Sequence, residues 1–284
     1  MGQTGSFSDK LFLNGTKITY LPQYEEDWDM SSILLEYEEY FKYGITVKEG
    51  DTVLDIGANI GLFSLAVYDR CKGNVRIFIY EPIPEIYKML KQNIELYNPE
   101  NLIAFPFGVS NQSGVVSFTY YPNAPCLSTY DSKYIDLEIA QVLNDLENNN
   151  QSISETFDGF GNAGSDKNIR LKRMRAILEL KTLFKEIKVE CTVKTLSEII
   201  RENQIQQIDL LKVDVGGSEF DVFSGLDNSD WNRIKQIVVK LPLGGGKLSE
   251  LKNLLGINGY HNIRIEEQQE SIKSMSFVLI YARR

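Results

Sequence analysis

The sequence predicts a Rossmann-like, doubly wound α/β fold with a mostly parallel sheet. Three observations carry that prediction. Apolar, strand-like runs alternate with helical segments along most of the chain, which implies parallel strands joined by right-handed crossovers. The run IDLLKVDV at residues 208–215 is nearly all apolar, as a strand covered on both faces must be. The stretch DTVLDIGANIGLFS at residues 51–64 leaves a buried strand (Val53, Leu54, Ile56), passes two glycines and opens a helix. Such a turn is the ligand cradle of these sheets, because the backbone can approach closely and free N–H groups face the ligand.

Each element follows from local pattern. LFLNGTKITY at residues 11–20 is a hairpin signal, with Asn14 and Gly15 at a two-residue turn. Residues 25–43 read as a helix interrupted near Ser31 and Ser32. Its Ile33, Leu34, Tyr37, Tyr40 and Phe41 recur at helical spacing, to pack in the core or cover the cradle. A strand at 76–80 is followed by a helix at 84–97 that stops at Asn98-Pro99, since the residue before a proline is pushed out of the helical region. A strand at 102–107 leads to a turn at Gly108, Val109, Ser110 and Asn111, and a strand at 115–120 follows.

Residues 121–185 break the rhythm. Helices at 134–146 and 168–184 flank a low-propensity stretch expected to be mobile, and the whole reads as an inserted helical lid. The sheet is expected to resume at 186–193. A helix at 195–202, the strand at 208–215, a helix at 219–226, a strand at 236–241, a helix at 248–257 and a strand at 276–281 complete the order. The expected organisation is one domain over residues 1–284. Residues 1–48 form the N-terminal hairpin and helix, 49–120 and 186–284 the core, and 121–185 the lid.

The totals narrow the function. Hydrophobic content of 43% and charged content of 24% over 284 residues are those of a globular protein. No run has the apolar length of a bilayer span, and the N-terminus lacks a basic-then-apolar leader, so the expected address is cytoplasmic with no membrane partner. Cys71, Cys126 and Cys191 are far apart and form no CxxC, which argues against a disulfide framework or a cysteine-built zinc site. A net charge of −9 disfavours nucleic acid as a partner. Lys167, Arg170, Lys172, Arg173 and Arg175 read as a solvated helix face, with a phosphate dock as the alternative. The single histidine, His261, reads as a surface or structural residue.

Glycine spacing bears on the cofactor. A dinucleotide cradle needs G-x-G-x-x-G, whereas this chain reads D-x-G-x-x-x-G with Ala58 and Asn59 where the second glycine would fall. That spacing disfavours a nicotinamide-dependent oxidoreductase. Asp55 at the strand end suits a ligand carrying an ammonium and a sulfonium. About twenty residues on, RIFIYEP ends in Glu81, which can accept hydrogen bonds from both hydroxyls of a ribose. Together these features resemble an S-adenosylmethionine (SAM) site; the plainer reading is an ordinary βαβ turn with a surface acid.

Four motifs, GDTVLDIGANIG at 50–61, YEP at 80–82, GVSN at 108–111 and LKVDVGGSE at 211–219, together resemble the FkbM-like family of SAM-dependent methyltransferases. The resemblance runs from residue 11 to residue 284 and is closest to O-methyltransferase domains of bacterial polyketide and nonribosomal peptide synthases. It implies a class I methyltransferase fold and methyl transfer from SAM to a hydroxyl of a polyketide or peptide intermediate. Such a substrate can be free or tethered to an acyl or peptidyl carrier protein, whose acidic surface the basic run would meet. Carried over by position, Asp55, Gly57, Asn59 and Gly61 hold the methionine part of SAM. Glu81, followed by Pro82, holds the ribose, Gly108, Val109 and Ser110 lie near the adenine, and Asp214 sits beside the reacting centre.

The family usually reads D-x-E-G-x-E after the strand of Asp214, and here Gly216 replaces the middle glutamate. The next strand usually ends E-x-H, and here Lys240 and Pro242 stand at those positions. A divalent metal or a general base would therefore rest on Asp214 and Glu219, with Lys240 as a further base or a structural residue. The catalytic candidates are Asp214, Glu219 and Lys240. The alternative is a catalytically silent methyltransferase-fold module of a synthase.

Overall fold

The computed structural model describes residues 8–11, 17–20, 37–97, 100–148, 166–243, 247–269 and 276–284. Seven strands form the main sheet: β3 (Thr52–Ile56), β4 (Arg76–Tyr80), β5 (Leu102–Phe105), β9 (Leu210–Val213), β10 (Gln236–Pro242), β11 (Asn262–Gln269) and β12 (Ser276–Arg283). Their order is β5-β4-β3-β9-β10-β12-β11. Strands β3, β4, β5, β9 and β10 are mutually parallel, and β12 runs antiparallel to both β10 and β11. The sheet order reverses between β3 and β9, so the carboxyl ends of those strands open the crevice where such folds take ligands.

Two cores sandwich the sheet, as its continuous apolar strands require. On one face Val53, Ile77, Ile79, Leu210 and Val238 pack under helices α1 (Leu62–Arg70) and α2 (Pro84–Glu95), through Phe63, Leu65, Met89 and Leu90. On the other face Leu54, Phe78, Leu211, Val213 and Val239 meet α5 (Leu196–Glu202), α6 (Glu219–Ser224) and α7 (Leu248–Ile257). A capping box starts α5: Thr195 Oγ1 accepts the Glu198 N–H at 3.2 Å, and Glu198 Oε2 accepts the Thr195 N–H at 3.3 Å.

Several expectations need correction. The strand over Ile187–Lys194 (β8) does not resume the main sheet. It forms a separate three-stranded sheet with β6 (Gly108–Val109) and β7 (Gly114–Tyr120), parallel to the first and antiparallel to the second. The reason is legible in IKVECTVK: Lys188, Glu190 and Thr192 alternate with apolar residues, and a central parallel strand cannot bury such a face. Gly108 and Val109, expected in a turn, are strand residues paired with Val193 and Lys194. Strand β11 was not foreseen. Its Arg264, Glu266 and Glu267 are the charged residues that suit a sheet edge.

The helix expected over residues 25–43 is helical at 37–39, and residues 25–36 lie outside the described residues. It ends early because Tyr43 and Gly44 take left-handed conformations, at φ 51° and 83°. The hairpin forms as β1 (Ser8–Leu11) and β2 (Lys17–Tyr20), with a ladder ending at the Leu11–Lys17 pair; its turn lies outside the described residues.

Between β7 and β8 run α3 (Lys133–Asn148) and α4 (Asp166–Leu183). Tyr121, Ala124 and Ile135 form a small core of their own there, flanked by Leu127, Ile139 and Leu183. The low-propensity stretch between α3 and α4 lies outside the described residues. Among the described residues, no helix is long and apolar enough to cross a membrane.

Candidate functional site

The site gathers at the carboxyl ends of β3, β4 and β9. After β3 the chain turns through Gly57 and Asn59, both left-handed at φ 75° and 53°, and enters α1 at Gly61, φ 91°. Glycine is required at position 57 for more than its dihedral. A Cβ there would lie 1.9 Å from the carbonyl oxygen of Asp214, so the β3 and β9 turns touch backbone to backbone. At Gly61 a Cβ would meet Leu90 Cδ1 at 2.5 Å. The N–H groups of Gly57 and Ala58 both donate to the Tyr80 carbonyl, at 3.1 and 3.0 Å, which binds this turn to β4.

Asp55 is fully buried on β3. Its Oδ2 accepts a 2.7 Å hydrogen bond from Ser64 Oγ, and its Oδ1 lies 3.0 Å from Lys212 Nζ, an ion pair that does not meet hydrogen-bond geometry. Asp55 and Lys212 are register partners across β3 and β9. The Lys212 ammonium donates to the Gly57 carbonyl at 2.8 Å and stands 4.0 Å from Asp214 Oδ2 and 5.8 Å from the Phe63 ring centroid. Asp214 also accepts a 3.1 Å hydrogen bond from the hydroxyl of buried Tyr40, whose ring meets Phe63 edge-on. Its side chain keeps 32% exposure, whereas Asp55, Glu81 and Glu219 are buried.

Glu81 follows β4. Its Oε2 accepts the Asn59 N–H and its Oε1 the Ile83 N–H, each at 3.0 Å. Burial pushes its carboxyl up to about 7, against the pull of those two backbone donors. Each oxygen retains a lone pair for a further donor. Pro82 packs beside Gly108, where a Cβ would come 3.4 Å from the proline ring and 3.3 Å from Val193. Val109 and Ser110 are buried next to it, and the Ser110 N–H donates to the Lys194 carbonyl at 3.0 Å.

The catalytic candidates separate. Glu219 is fully buried, and its carboxylate accepts N–H groups from Val215 and Gly217 at 3.1–3.2 Å. It therefore holds the turn that follows Asp214, and burial pushes it up to about 7. Gly216 and Gly217 are left-handed there, and a Cβ on Gly216 would come 3.3 Å from buried Thr129. Lys240 is half-buried on β10 with its ammonium 4.1 Å from the Phe277 ring centroid. It lies one position beyond the Val213–Val239 register pair, as Asp214 does on β9. His261 is exposed just before β11. Among the described residues, no three His, Cys, Asp or Glu side chains assemble as a metal-holding group.

The sequence reading missed Lys212 as a functional residue and gave Tyr40 only a packing role. Lys212 carried a signal: it is a lone cation inside the apolar run 208–215, and a buried strand can hold it only beside a carboxylate. Tyr40 carried none, since its link to Asp214 joins residues 174 apart.

The strand order, with one antiparallel strand inserted near the edge and the ligand crevice at the β3 end, defines a class I methyltransferase fold. Residues 55–270 match the methyltransferase FkbM domain, and the chain belongs to that family. It is 30% identical over 221 residues to the 31-O-demethyl-FK506 methyltransferase FkbM of Streptomyces tacrolimicus, covering 78% of this chain and 76% of that one. It is 29% identical over 252 residues to the AMB antimetabolite synthetase AmbE of Pseudomonas aeruginosa, covering 87% of this chain but only 11% of the synthetase. Methyltransferase sdnD of Sordaria araneosa is 28% identical over 241 residues, covering 82% of this chain and 81% of its own.

Proposed function

We propose that this chain is a SAM-dependent O-methyltransferase whose acceptor is a hydroxyl of a polyketide or peptide natural-product intermediate, free or tethered to a carrier protein. The observation that carries the reading is Asp214, a half-exposed carboxylate held against the glycine turn by Tyr40 and Lys212. The O-linked acceptor named for the FK506 relative and the synthetase named for AmbE support the substrate class.

The residues present fit the cofactor. Asn59 Oδ1 is buried and has no hydrogen-bond partner among the described residues, an acceptor that a ligand's ammonium would satisfy. The close backbone approach at Gly57 sets the β3 turn against the Asp214 carbonyl, so the two turns form one continuous wall of the crevice. Gly57, Asn59 and Gly61 would hold the amino-acid end, Glu81 the ribose, and the Gly108–Ser110 segment the adenine. Bound there, SAM supplies an electrophilic methyl group on a sulfonium leaving group. Asp214 would accept a hydrogen bond from the acceptor hydroxyl, orient it and take its proton on a carboxylate oxygen. The inserted α3–α4 unit serves as the lid that excludes water over the acceptor. Lys240, stacked on Phe277, forms a cationic wall on the β10 side of the crevice.

A second reading, a methyltransferase fold without transfer activity, draws on Glu219 being engaged in the turn and on Gly216 and Lys240 standing at family acid positions. Incubation with methyl-labelled SAM and a panel of hydroxylated lactones and pantetheine-linked hydroxyacyl thioesters separates the two. Label should reach an acceptor oxygen, and Asp214→Asn should lower the rate by roughly 100-fold or more while SAM still binds. SAM binding without transfer to any acceptor would favour the second reading.

A further inference from the structure

Lys212 is the one cation within 4 Å of a site carboxylate among the described residues, and it is 3% exposed. Its ammonium faces Asp55 at 3.0 Å and Asp214 at 4.0 Å, and it is tied to the Gly57 carbonyl at 2.8 Å. Counted together, Asp55, Lys212 and Asp214 leave one uncompensated negative charge beside the glycine turn. Without the lysine they would leave two.

We propose that Lys212 determines how strongly the site distinguishes the cationic sulfonium cofactor from its neutral thioether product, S-adenosylhomocysteine (SAH). This rests on the SAM reading above. Methyl transfer converts a ligand that carries a sulfonium charge into one that does not, while the rest of the molecule is unchanged. A site with two unpaired carboxylates would hold the sulfonium too firmly relative to the product. The buried ammonium reduces that field at the turn itself, where water screens it little. It thereby moderates the preference for the charged ligand. Phe63, its ring facing the ammonium, and Tyr40, bonded to Asp214, hold the geometry of the three charges.

The role differs from a structural one in what it changes. A lysine that merely braced the turn would, when removed, weaken both ligands by the same factor. A lysine that sets the local charge changes their ratio.

The test is calorimetric titration of SAM and of SAH into the wild-type protein, Lys212→Met, and the double variant Lys212→Met/Asp55→Asn. Methionine keeps an unbranched side chain out to Cε and removes the ammonium with its charge. The double variant removes the buried acid as well and restores the site's net charge, which covers the case in which the single variant fails to fold. The ratio of the two dissociation constants, SAH over SAM, should rise by roughly tenfold in Lys212→Met and return to near the wild-type value in the double variant. A ratio that is unchanged in Lys212→Met would overturn the proposal and leave the cofactor reading intact. If the single variant does not fold, a double-variant ratio several-fold away from wild type would overturn it instead. Failure of the wild-type protein to bind either ligand would overturn the cofactor reading, and this proposal with it.

Discussion

Glu81 has a structural duty in the turn and, on the proposed reading, would also accept the ribose hydroxyls. Its two backbone donors fix the carboxylate in place, while burial pushes it up to about 7. A carboxyl that must accept ribose hydroxyls binds best when ionised, so SAM affinity should rise as pH passes upward through 7. The expected gain between pH 6 and pH 8 is roughly tenfold, measured by titration, and Glu81→Gln should abolish the dependence. A flat profile in the wild type would remove Glu81 from the ribose. Gly57 makes a harder demand. Gly57→Ala must displace the Asp214 carbonyl and should lower stability by at least about 2 kcal/mol in urea unfolding. An unchanged midpoint would mean that the two turns are not locked together. Both residues were legible in the sequence, because a glycine after an apolar strand and an acid after the next strand are local patterns. The contact of Tyr40 with Asp214 was not, since it depends on how a distant segment folds across the sheet.

At the scale of elements, period and charge decided which predictions held. Strands β3, β4, β9 and β10 are nearly uniform apolar runs, and all four form the centre of the sheet as their sequence demands. Strand β8 reads as alternating, and that alternation, not its position after the insertion, put it in the side sheet with β7. Strand β11 escaped notice because its polar residues look like a loop until β12 is available to pair with it. Helix α5 offers a clean local test. Thr195 caps it through the reciprocal bonds with Glu198, and Thr195→Ala should cost about 1 kcal/mol. Because α5 lies on the face away from α1, SAM affinity should stay at the wild-type value. Loss of binding together with loss of the cap would show that this face reports on the site.

The whole molecule carries a net charge of −9, and two of its buried carboxyls, Glu81 and Glu219, behave unlike free ones. Glu81 and Glu219 are both pushed up to about 7 from an ordinary value of 4.5. The folded chain therefore holds their protons to higher pH than the unfolded chain does. Their contribution to stability is complete below about 4.5 and is lost as pH rises through about 7. Chemical denaturation should show a lower midpoint at pH 8 than at pH 5.5, and Glu219→Gln should shrink the difference. A midpoint that climbs over that interval would reverse the sign and contradict the burial argument. The same architecture brings the ends of β3, β4 and β9 into one crevice, and the central claim is that this crevice is a SAM site. Titration of SAM into the wild-type protein and into Asn59→Gly tests it most directly. Glycine keeps the left-handed backbone at position 59 and deletes the amide whose buried oxygen has no hydrogen-bond partner among the described residues. Micromolar binding by the wild type, weakened roughly tenfold in the variant at an unchanged unfolding temperature, is the predicted result. No binding of SAM by the wild-type protein would contradict the account.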